Sequence, residues 1–417
     1  MDDKVRQVVE LTARDSYGRL VAWLAAHCGD LRTAEDAVSD ALEAALRNWP
    51  DRGVPDNPTA WLLTAARRRV IDRSRRRTTR MQAADRLRRE AQERAETPFR
   101  SPESGFPDRR LELMLVCAHP EIPVAARTPL ILQTVLGLTA ERIAAAMMMR
   151  PASIGQRLVR AKRHIREARL TFRAPDPAEL PHRIAPVLDA IYAAYGTGWE
   201  TTSDADAGVS GLAREALWLG RLLVDLAPEI AEVKGLYALM AHCEARRAAR
   251  RTARGAFVPL EEQDTAQWDR ALQEEAEKAL FMAAKQGQRG SYQLEAAIQS
   301  IHANRARSGR TDWASVHAIY DTLVACFPSL GAHIGLAASL GRIGRPADGL
   351  ATLDALPADR TARHQPWWAV RAHLLAALGR RRAATDAYSR AIGLTTDPAV
   401  RAWLAERRRS SASDAST

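Results

Sequence analysis

The chain has 417 residues, which is more than one hydrophobic core usually serves, so two or three domains are expected. Its 27% charged and 46% hydrophobic residues are typical of a globular protein and exclude a disordered chain. Lys and Arg outnumber Asp and Glu by 61 to 50, and the resulting net charge of +11 indicates a polyanionic partner.

Composition also predicts the fold class and the compartment. Ala, Leu and Arg dominate while β-branched residues are sparse, which predicts an all-α protein. No apolar run approaches the roughly 18 residues of a membrane helix, and the amino terminus lacks a basic-then-apolar signal. The four cysteines are far apart and form no C-x-x-C pair, which argues against disulfides and zinc. We therefore expect a cytoplasmic protein with no membrane association, no metal and no cofactor.

The first predicted element with functional character is an amphipathic helix over residues 32–49. Its apolar side carries Val38, Ala41, Leu42, Ala45 and Leu46. Asp36, Asp40 and Glu43 recur four and three residues apart, so they form one exposed acidic stripe on the opposite side. Most stripes of this kind are simply solvated helix faces, and that alternative stays open on spacing alone.

A turn-rich loop, Trp49 to Pro58, is predicted to follow, and then a basic helix from about Thr59. Between Trp61 and Arg89 the chain carries eleven arginines and only two carboxylates. So many cations cannot all be buried, which predicts an exposed basic surface on this helix.

These residues resemble a known family. The runs Ala34–Ala41 and Asn57–Leu62, followed by the arginine-rich helix, resemble region 2 of extracytoplasmic-function sigma factors of the sigma-70 family. The resemblance implies that the acidic helix binds the β′ clamp of core RNA polymerase, through Asp36, Ser39, Asp40 and Glu43. It also implies minus-ten promoter recognition by the loop and basic helix, through Asn57, Trp61, Arg68, Arg69, Arg73 and Arg76. Ser39 departs from the family pattern, in which Gln is usual.

A second pair of predicted helices follows the Pro- and Gly-containing stretch from Thr97 to Pro107. The first begins at an N-cap, Thr139, and the second begins near Ala152 after a short turn. The second has an apolar face of Ile154, Leu158, Ala161 and Ile165 and a polar, basic face opposite. This is a helix-turn-helix arrangement, which places the second helix in the DNA major groove.

The stretch Ser153–Arg166 resembles region 4 of the same sigma family, although Gly155 stands where Lys is common. Region 4 binds the polymerase β flap and reads the minus-thirty-five element. The resemblance assigns that reading to Ser153, Gln156, Arg157, Arg160, Lys162 and Arg163.

The carboxy-terminal half contains a weak internal repeat. Small and apolar residues recur at the same offsets in two segments 35 residues apart, namely Gly344, Gly349, Leu353, Leu356 and Gly379, Ala384, Tyr388, Ala391. The pattern resembles degenerate tetratricopeptide (TPR) repeats, with a generic helical bundle as the alternative. A sigma subgroup carries such an extension, and Glu261–Asp264 with Trp268 and Asp269 is one of the local matches to it.

The expected organisation has five parts. They are region 2 (1–80), a flexible linker (81–108), region 4 (109–175), the helical extension (176–409) and a disordered tail (410–417). We expect a sigma factor with core RNA polymerase and promoter DNA as partners, its activity modulated by the extension. An anti-sigma or signalling protein is a further possible partner, through that extension.

Two other functions were weighed. A helix-turn-helix regulator with a ligand- or protein-sensing TPR-like domain would explain the carboxy-terminal half but not the acidic stripe. An enzyme is not expected: Glu261, Glu262 and Asp264 cluster, yet the chain has no G-x-S-x-G, Gly-rich phosphate loop or H-E-x-x-H motif.

Overall fold

The computed structural model describes residues 3–84, 108–168, 175–200 and 207–413. Over these ranges the protein is all-α, which confirms the predicted fold class. The described residues contain one isolated antiparallel bridge, between Arg251 and Phe257, and no strand. None of the described helices is long and apolar enough to span a membrane.

The chain consists of two compact units, residues 1–227 and 228–417. The first unit contains α1 (Asp3–Cys28), α2 (Leu31–Arg52), α3 (Pro58–Ala84), α4 (Arg109–Cys117), α5 (Val124–Thr134), α6 (Ala140–Ala146), α7 (Pro151–Glu167), α8 (Leu180–Glu200) and α9 (Ala207–Leu226). The second contains α10 (Ala231–Ala245), α11 (Arg270–Lys285), α12 (Ser291–Ala303), α13 (Arg305–Ser308), α14 (Trp313–Cys326), α15 (Leu330–Arg342), α16 (Pro346–Asp354), α17 (Ala358–Thr361), α18 (Gln365–Ala377), α19 (Arg381–Leu394) and α20 (Pro398–Ser413).

Helices α1, α2 and α3 pack against one another and correspond to the predicted region 2. Asp30 caps α2 by accepting the backbone N–H groups of Arg32 and Thr33. The helix runs on to Arg52, so the prediction that the loop begins at Trp49 was wrong. Pro50 is tolerated inside α2, and the helix ends at Gly53, whose φ of 78° favours glycine.

Helices α6 and α7 form the predicted helix-turn-helix. The side chain of Thr139 accepts the N–H of Arg142, which confirms it as the N-cap of α6. The turn before α7 contains Met148 with a φ of 52°, a left-handed conformation that is uncommon for a residue other than Gly. The apolar face of α7 is buried as predicted, at Ile154, Leu158, Ala161 and Ile165.

Helices α8 and α9 belong to the same compact unit as the first seven helices. Helix α8 packs on α4, α5 and α6, and α9 packs on α8. The guanidinium of Arg183, which is almost fully buried, donates to the carbonyl oxygen of Leu115 at 3.4 Å. Arg110 is also buried and forms ion pairs with Asp108 and Glu215. Helices predicted to begin the extension therefore complete the core around α4 and α5.

The second unit is built from helices that pack on their neighbours in the chain, such as α15 on α16 and α18 on α19. The two copies of the sequence repeat occupy equivalent positions in these two pairs. Gly344 and Gly379 lie in the connecting turns with φ of 83° and 71°. Gly349 and Ala384 are buried where the helices cross.

The predicted linker and tail are only partly covered by the structure. Helix α3 continues to residue 84, and residues 85–107 lie outside the described ranges. Helix α20 includes residues 410–413 of the predicted tail, and residues 414–417 lie outside. Helix α8 reaches Glu200 and α9 begins at Ala207, and residues 201–206 between them also lie outside the described ranges.

Candidate functional site

The acidic stripe lies on the surface of α2, opposite its buried alanines. Ser39 and Glu43 are exposed, and Asp36 and Asp40 are half-buried. Ser39 donates its hydroxyl to the backbone oxygen of Glu35 at 2.9 Å, and Glu43 forms an ion pair with Arg47 at 3.1 Å. All four residues are therefore on one accessible face of the helix.

Arg73 of α3 lies across this stripe. Its Nη1 donates to Asp36 at 3.0 Å and its Nη2 donates to Asp40 at 3.1 Å. All three side chains are about 40% exposed, so these ion pairs contribute little to stability. The structure thus joins two sets of residues that the sequence analysis had assigned to different partners.

The loop before α3 is held by local contacts. The Oδ1 atom of Asn57 accepts the N–H of Ala60 at 3.0 Å and caps the helix. The ring of Trp61 packs edge-on against buried Trp49, with 5.5 Å between centroids. Arg68 and Arg69 are exposed on α3. The side chain of Arg76 lies outside the described part of the chain.

Helix α7 presents its predicted DNA-reading residues on the side away from its buried face. Gln156, Arg160 and Arg163 are exposed, and Ser153 and Arg157 are half-buried. Arg160 donates to the backbone and side-chain oxygens of Gln156 at 3.3 and 3.4 Å. Arg157 donates to the carbonyl oxygen of Ala125 in α5 at 3.2 Å, so part of its guanidinium is already engaged.

Lys162, the remaining residue of that set, is bound to α2 instead of facing away. Its Nζ donates to Oε1 and Oε2 of Glu35 at 2.9 and 3.0 Å. Thr134 at the end of α5 donates its hydroxyl to the same carboxylate at 3.3 Å. Only 13% of the Glu35 side chain is exposed. We call this contact between the two predicted DNA-reading regions the Glu35 junction.

The electrostatic effect of Glu35 extends to two neighbouring helices. Burial raises the pKa of the Tyr17 hydroxyl in α1, and the carboxylates of Glu35 and Asp36 raise it further. Burial likewise raises the pKa of the Cys117 thiol in α4, with a smaller contribution from Glu35. Both groups stay neutral at physiological pH, so neither adds a second negative charge beside the Glu35 carboxylate.

A close backbone approach adjoins the Glu35 junction. A Cβ atom placed on Gly18 of α1 would lie 1.8 Å from the carbonyl oxygen of Val135, directly after α5. Any larger residue at this position would force the backbones apart. The two regions are therefore packed directly on each other, although the sequence analysis expected a linker that lets them move independently.

Comparison with known proteins matches two families to parts of this chain. A profile of sigma-70 region 2 matches residues 13–80, which are most of α1, α2 and α3. A family of unknown function, DUF6596, matches residues 183–284, from α8 to α11. An uncharacterized protein of Rhizobium meliloti (strain 1021) is 33% identical over 377 residues, or 90% of this chain and 89% of the relative.

The chain belongs to the same family as this rhizobial protein. The region 2 match supports a place in the sigma-70 family and a role in transcription initiation, with core polymerase and promoter DNA as partners. Factors of that family are not enzymes. No solved structure matches the chain.

Glu35 is the residue of this sigma-70-type region that sequence reasoning missed. It lies four residues after Leu31 and three before Val38, both of which are buried. That spacing puts it on the edge of the apolar stripe, where a carboxylate needs a partner. The spacing of Glu35 from Leu31 and Val38 could have identified it as a partly buried carboxylate, but the sequence does not indicate that Lys162 is its partner.

Cys117 and His119 are two metal-ligand residue types close together in the sequence. Among the described residues, no group of three or more His, Cys, Asp or Glu side chains could hold a metal ion. Burial lowers the pKa of His119, and the positive charge of Arg183 lowers it further. Cys117 is fully buried in α4, and Nδ1 of His119 accepts the N–H of Glu121 at 3.2 Å.

Proposed function

We propose that the protein is a sigma factor that binds core RNA polymerase through the exposed stripe of α2 and directs initiation at specific promoters. In this proposal α3 and the preceding loop read the minus-ten element, and α7 reads the minus-thirty-five element. The β flap is the second polymerase contact, through the region around α7. The proposed extracytoplasmic-function subgroup rests on the resemblance of residues in regions 2 and 4.

The observation that carries the proposal is the placement of the region 2 match. It covers three packed helices in which one exposed acidic face adjoins one exposed basic helix. Acidic residues offer a docking surface to a basic partner, and the arginines of α3 offer phosphate contacts. Such contacts add affinity that is independent of sequence and offset the cost of opening the duplex.

Reading both elements requires the Glu35 junction to open. The two promoter elements are centred about 25 base pairs apart, which is about 85 Å along B-form DNA at roughly 3.4 Å per base pair. Regions that touch through Gly18 and Val135 cannot reach both elements at once. We therefore propose that the arrangement described here is a closed state and that polymerase binds an open state.

The test of polymerase binding uses the full chain with Asp36→Arg and Asp40→Arg together. The ion pairs of Asp36 and Asp40 with Arg73 are about 40% exposed and contribute little to stability, so the variant is expected to stay folded. We expect it to lose co-purification with core polymerase. The matched control is Glu274→Arg with Asp348→Arg, two exposed carboxylates of the second unit that pair with nearby arginines of their own segments. Equal co-purification of both variants would overturn the assignment of α2.

The same reconstitution distinguishes the alternative function. A conventional helix-turn-helix regulator binds promoter DNA without core enzyme and needs a resident sigma factor for transcription. A chain that binds a promoter tightly alone and never binds core enzyme would favour that alternative.

We also propose that the helical, TPR-like extension sets how readily the closed state opens. The packing of α8 on α4, α5 and α6 supports this, because the extension begins within the core of region 4. A ligand, or an anti-sigma or signalling protein, acts here only by binding the two states with different affinities.

Truncation after Ala227 tests this role, since it leaves the first compact unit whole. Truncation after Pro175 would remove α8 and uncover the core around α5. We expect the chain truncated after Ala227 to keep its helical content and to bind core polymerase more tightly than the full chain. Equal affinity would show that residues 228–417 do not regulate opening.

A further inference from the structure

Residues 246–269, which we call the strap, connect α10 to α11 without an α-helix. They contain three short 3-10 turns, Ala248–Arg250, Leu260–Glu262 and Thr265–Gln267. The acidic motif Glu261–Asp264 lies in this segment, and the sigma proposal gives it no role. All contacts described below lie within the second unit.

Arg305 binds the backbone of the strap around both glutamates. Arg305, the first residue of α13, donates to the carbonyl oxygens of Glu261 at 2.6 Å and of Leu260 and Gln263 at 2.9 Å. Its guanidinium also lies over the ring of Trp268, 5.2 Å from the centroid. This fixes the strap's main chain without using either glutamate side chain.

The two glutamate side chains reach separate helices. Glu261 pairs with Arg342 of α15 at 2.5 Å, and Glu262 pairs with Arg407 of α20 at 2.7 Å. Because Glu261 and Glu262 are consecutive residues, the two guanidinium groups contact one short stretch of the strap. Burial lowers the pKa of His373, and the charges of Arg342 and Arg407 lower it further.

Aromatic rings flank both arginines. The guanidinium of Arg342 lies 5.4 Å from the ring centroid of Trp313, and that of Arg407 lies 5.3 Å from that of Trp403. Phe257 of the strap packs edge-on against Trp403, with 5.7 Å between centroids. We call Arg342, Arg407, Trp313 and Trp403 the arginine surface.

The strap occupies the arginine surface as a short acidic peptide would, with both glutamates in the 3-10 turn Leu260–Glu262. It presents two adjacent carboxylates to two guanidinium groups and an aromatic ring to a tryptophan. Both ion pairs are between about one-third and one-half exposed, and such pairs contribute little to stability. Because Arg305 holds the backbone, the two glutamates can leave the arginines by side-chain rotation alone. The carboxylates are therefore the exchangeable part of the contact.

We propose that the arginine surface binds a short acidic segment of a partner protein, with two adjacent carboxylates and a nearby aromatic residue, and that Glu261 and Glu262 are its internal occupant. Bidentate guanidinium groups suit carboxylates, and the tryptophan rings provide contact area for the aromatic residue. The partner's carboxylates replace those of the strap. This proposal goes beyond the sigma role and does not depend on it.

The experiment uses the full chain and a fluorescein-labelled peptide that copies residues 256–264, with binding measured by anisotropy. The variant Glu261→Gln with Glu262→Gln keeps the size of both side chains but removes the charges that compete with the peptide. We expect this variant to bind the peptide at least about ten-fold more tightly than the unaltered chain does. In the same background, Arg342→Ala with Arg407→Ala is expected to abolish binding.

Arg345→Ala with Arg382→Ala is the matched control, since both arginines are exposed and lie outside the arginine surface. It is expected to bind as its parent does, and circular dichroism checks that every variant is folded. A second peptide with Gln at both glutamate positions is expected not to bind. Equal binding of the two peptides, no gain in the glutamine variant, or displacement by a single-stranded oligonucleotide at lower concentration than by the acidic peptide would overturn the proposal.

Discussion

Gly18→Ala tests the closed state without changing any charge. The new Cβ would lie 1.8 Å from the carbonyl oxygen of Val135 and 2.9 Å from its carbonyl carbon, so the backbones must separate by more than 1 Å. Overpacking of this kind costs about 1–3 kcal/mol. Inside α1 alone, the same substitution would stabilise the helix by about 0.5–1 kcal/mol. The structure and helix propensity therefore predict opposite signs for the effect on the packed unit.

The expected consequence is a larger open population. A closed state destabilised by about 1–3 kcal/mol shifts the equilibrium by roughly 5- to 150-fold, at tenfold per 1.4 kcal/mol. The apparent affinity of a partner that binds only the open state rises by up to the same factor. The assay is competition for core RNA polymerase, with thermal unfolding of the free chain measured beside it. We expect tighter polymerase binding and a lower unfolding temperature.

Gly196→Ala in α8 is the control, because a Cβ there meets no atom within 4 Å. It should raise stability slightly and leave polymerase affinity unchanged. Glu35→Ala provides an independent opening, since it removes the carboxylate that accepts from Lys162 and Thr134. A Gly18→Ala chain that is more stable and binds polymerase with unaltered affinity would refute the close approach of α1 to Val135.

Three further predictions concern single side chains. Arg157→Ala should weaken the binding free energy for the cognate minus-thirty-five sequence by about 1–3 kcal/mol and relax specificity there. Competition between cognate and scrambled DNA measures this, and an equal loss of affinity for both would contradict base reading. Arg73→Ala should weaken promoter binding on every sequence and reduce the salt slope by about one, while uncovering Asp36 and Asp40; an unchanged slope would exclude a phosphate contact. Burial, together with the charge of Arg246, lowers the pKa of His242 and His302 to about 4. The unfolded state binds more protons between about pH 6.5 and pH 4, so the free energy of unfolding should decrease as the pH is lowered through this window. His242→Gln should reduce the slope of the urea midpoint against pH. A flat profile would show that these histidines are protonated without cost in the folded chain.

Local features of the fold were predictable because they depend on a few neighbouring residues. The apolar spacing of α7 identified its buried face, and Thr139 identified the start of α6. The stripe on α2 followed from the same helical period. The predicted end of α2 at Trp49 was wrong, because a proline such as Pro50 usually marks a helix boundary. Packing around the buried Trp49 extends α2 to Arg52.

Contacts between distant segments could not be predicted from the sequence. Lys162 and Glu35 are 127 residues apart, and no local sequence pattern predicts that they pair with each other. The resemblance of α7 to region 4 assigned Lys162 to DNA, yet the mostly buried carboxylate of Glu35 also needs a cation, and the fold brings Lys162 to it. Arg73 met the acidic stripe for a similar reason, because the hairpin of α2 and α3 sets the two faces side by side.

The most direct test of the central claim is transcription in vitro from a promoter library with core RNA polymerase and the purified chain as the only initiation factor. The account predicts start sites preceded by two sequence elements at one fixed spacing, and loss of these transcripts in the Asp36→Arg, Asp40→Arg chain. Transcription that appears only when another sigma factor is added would contradict the account.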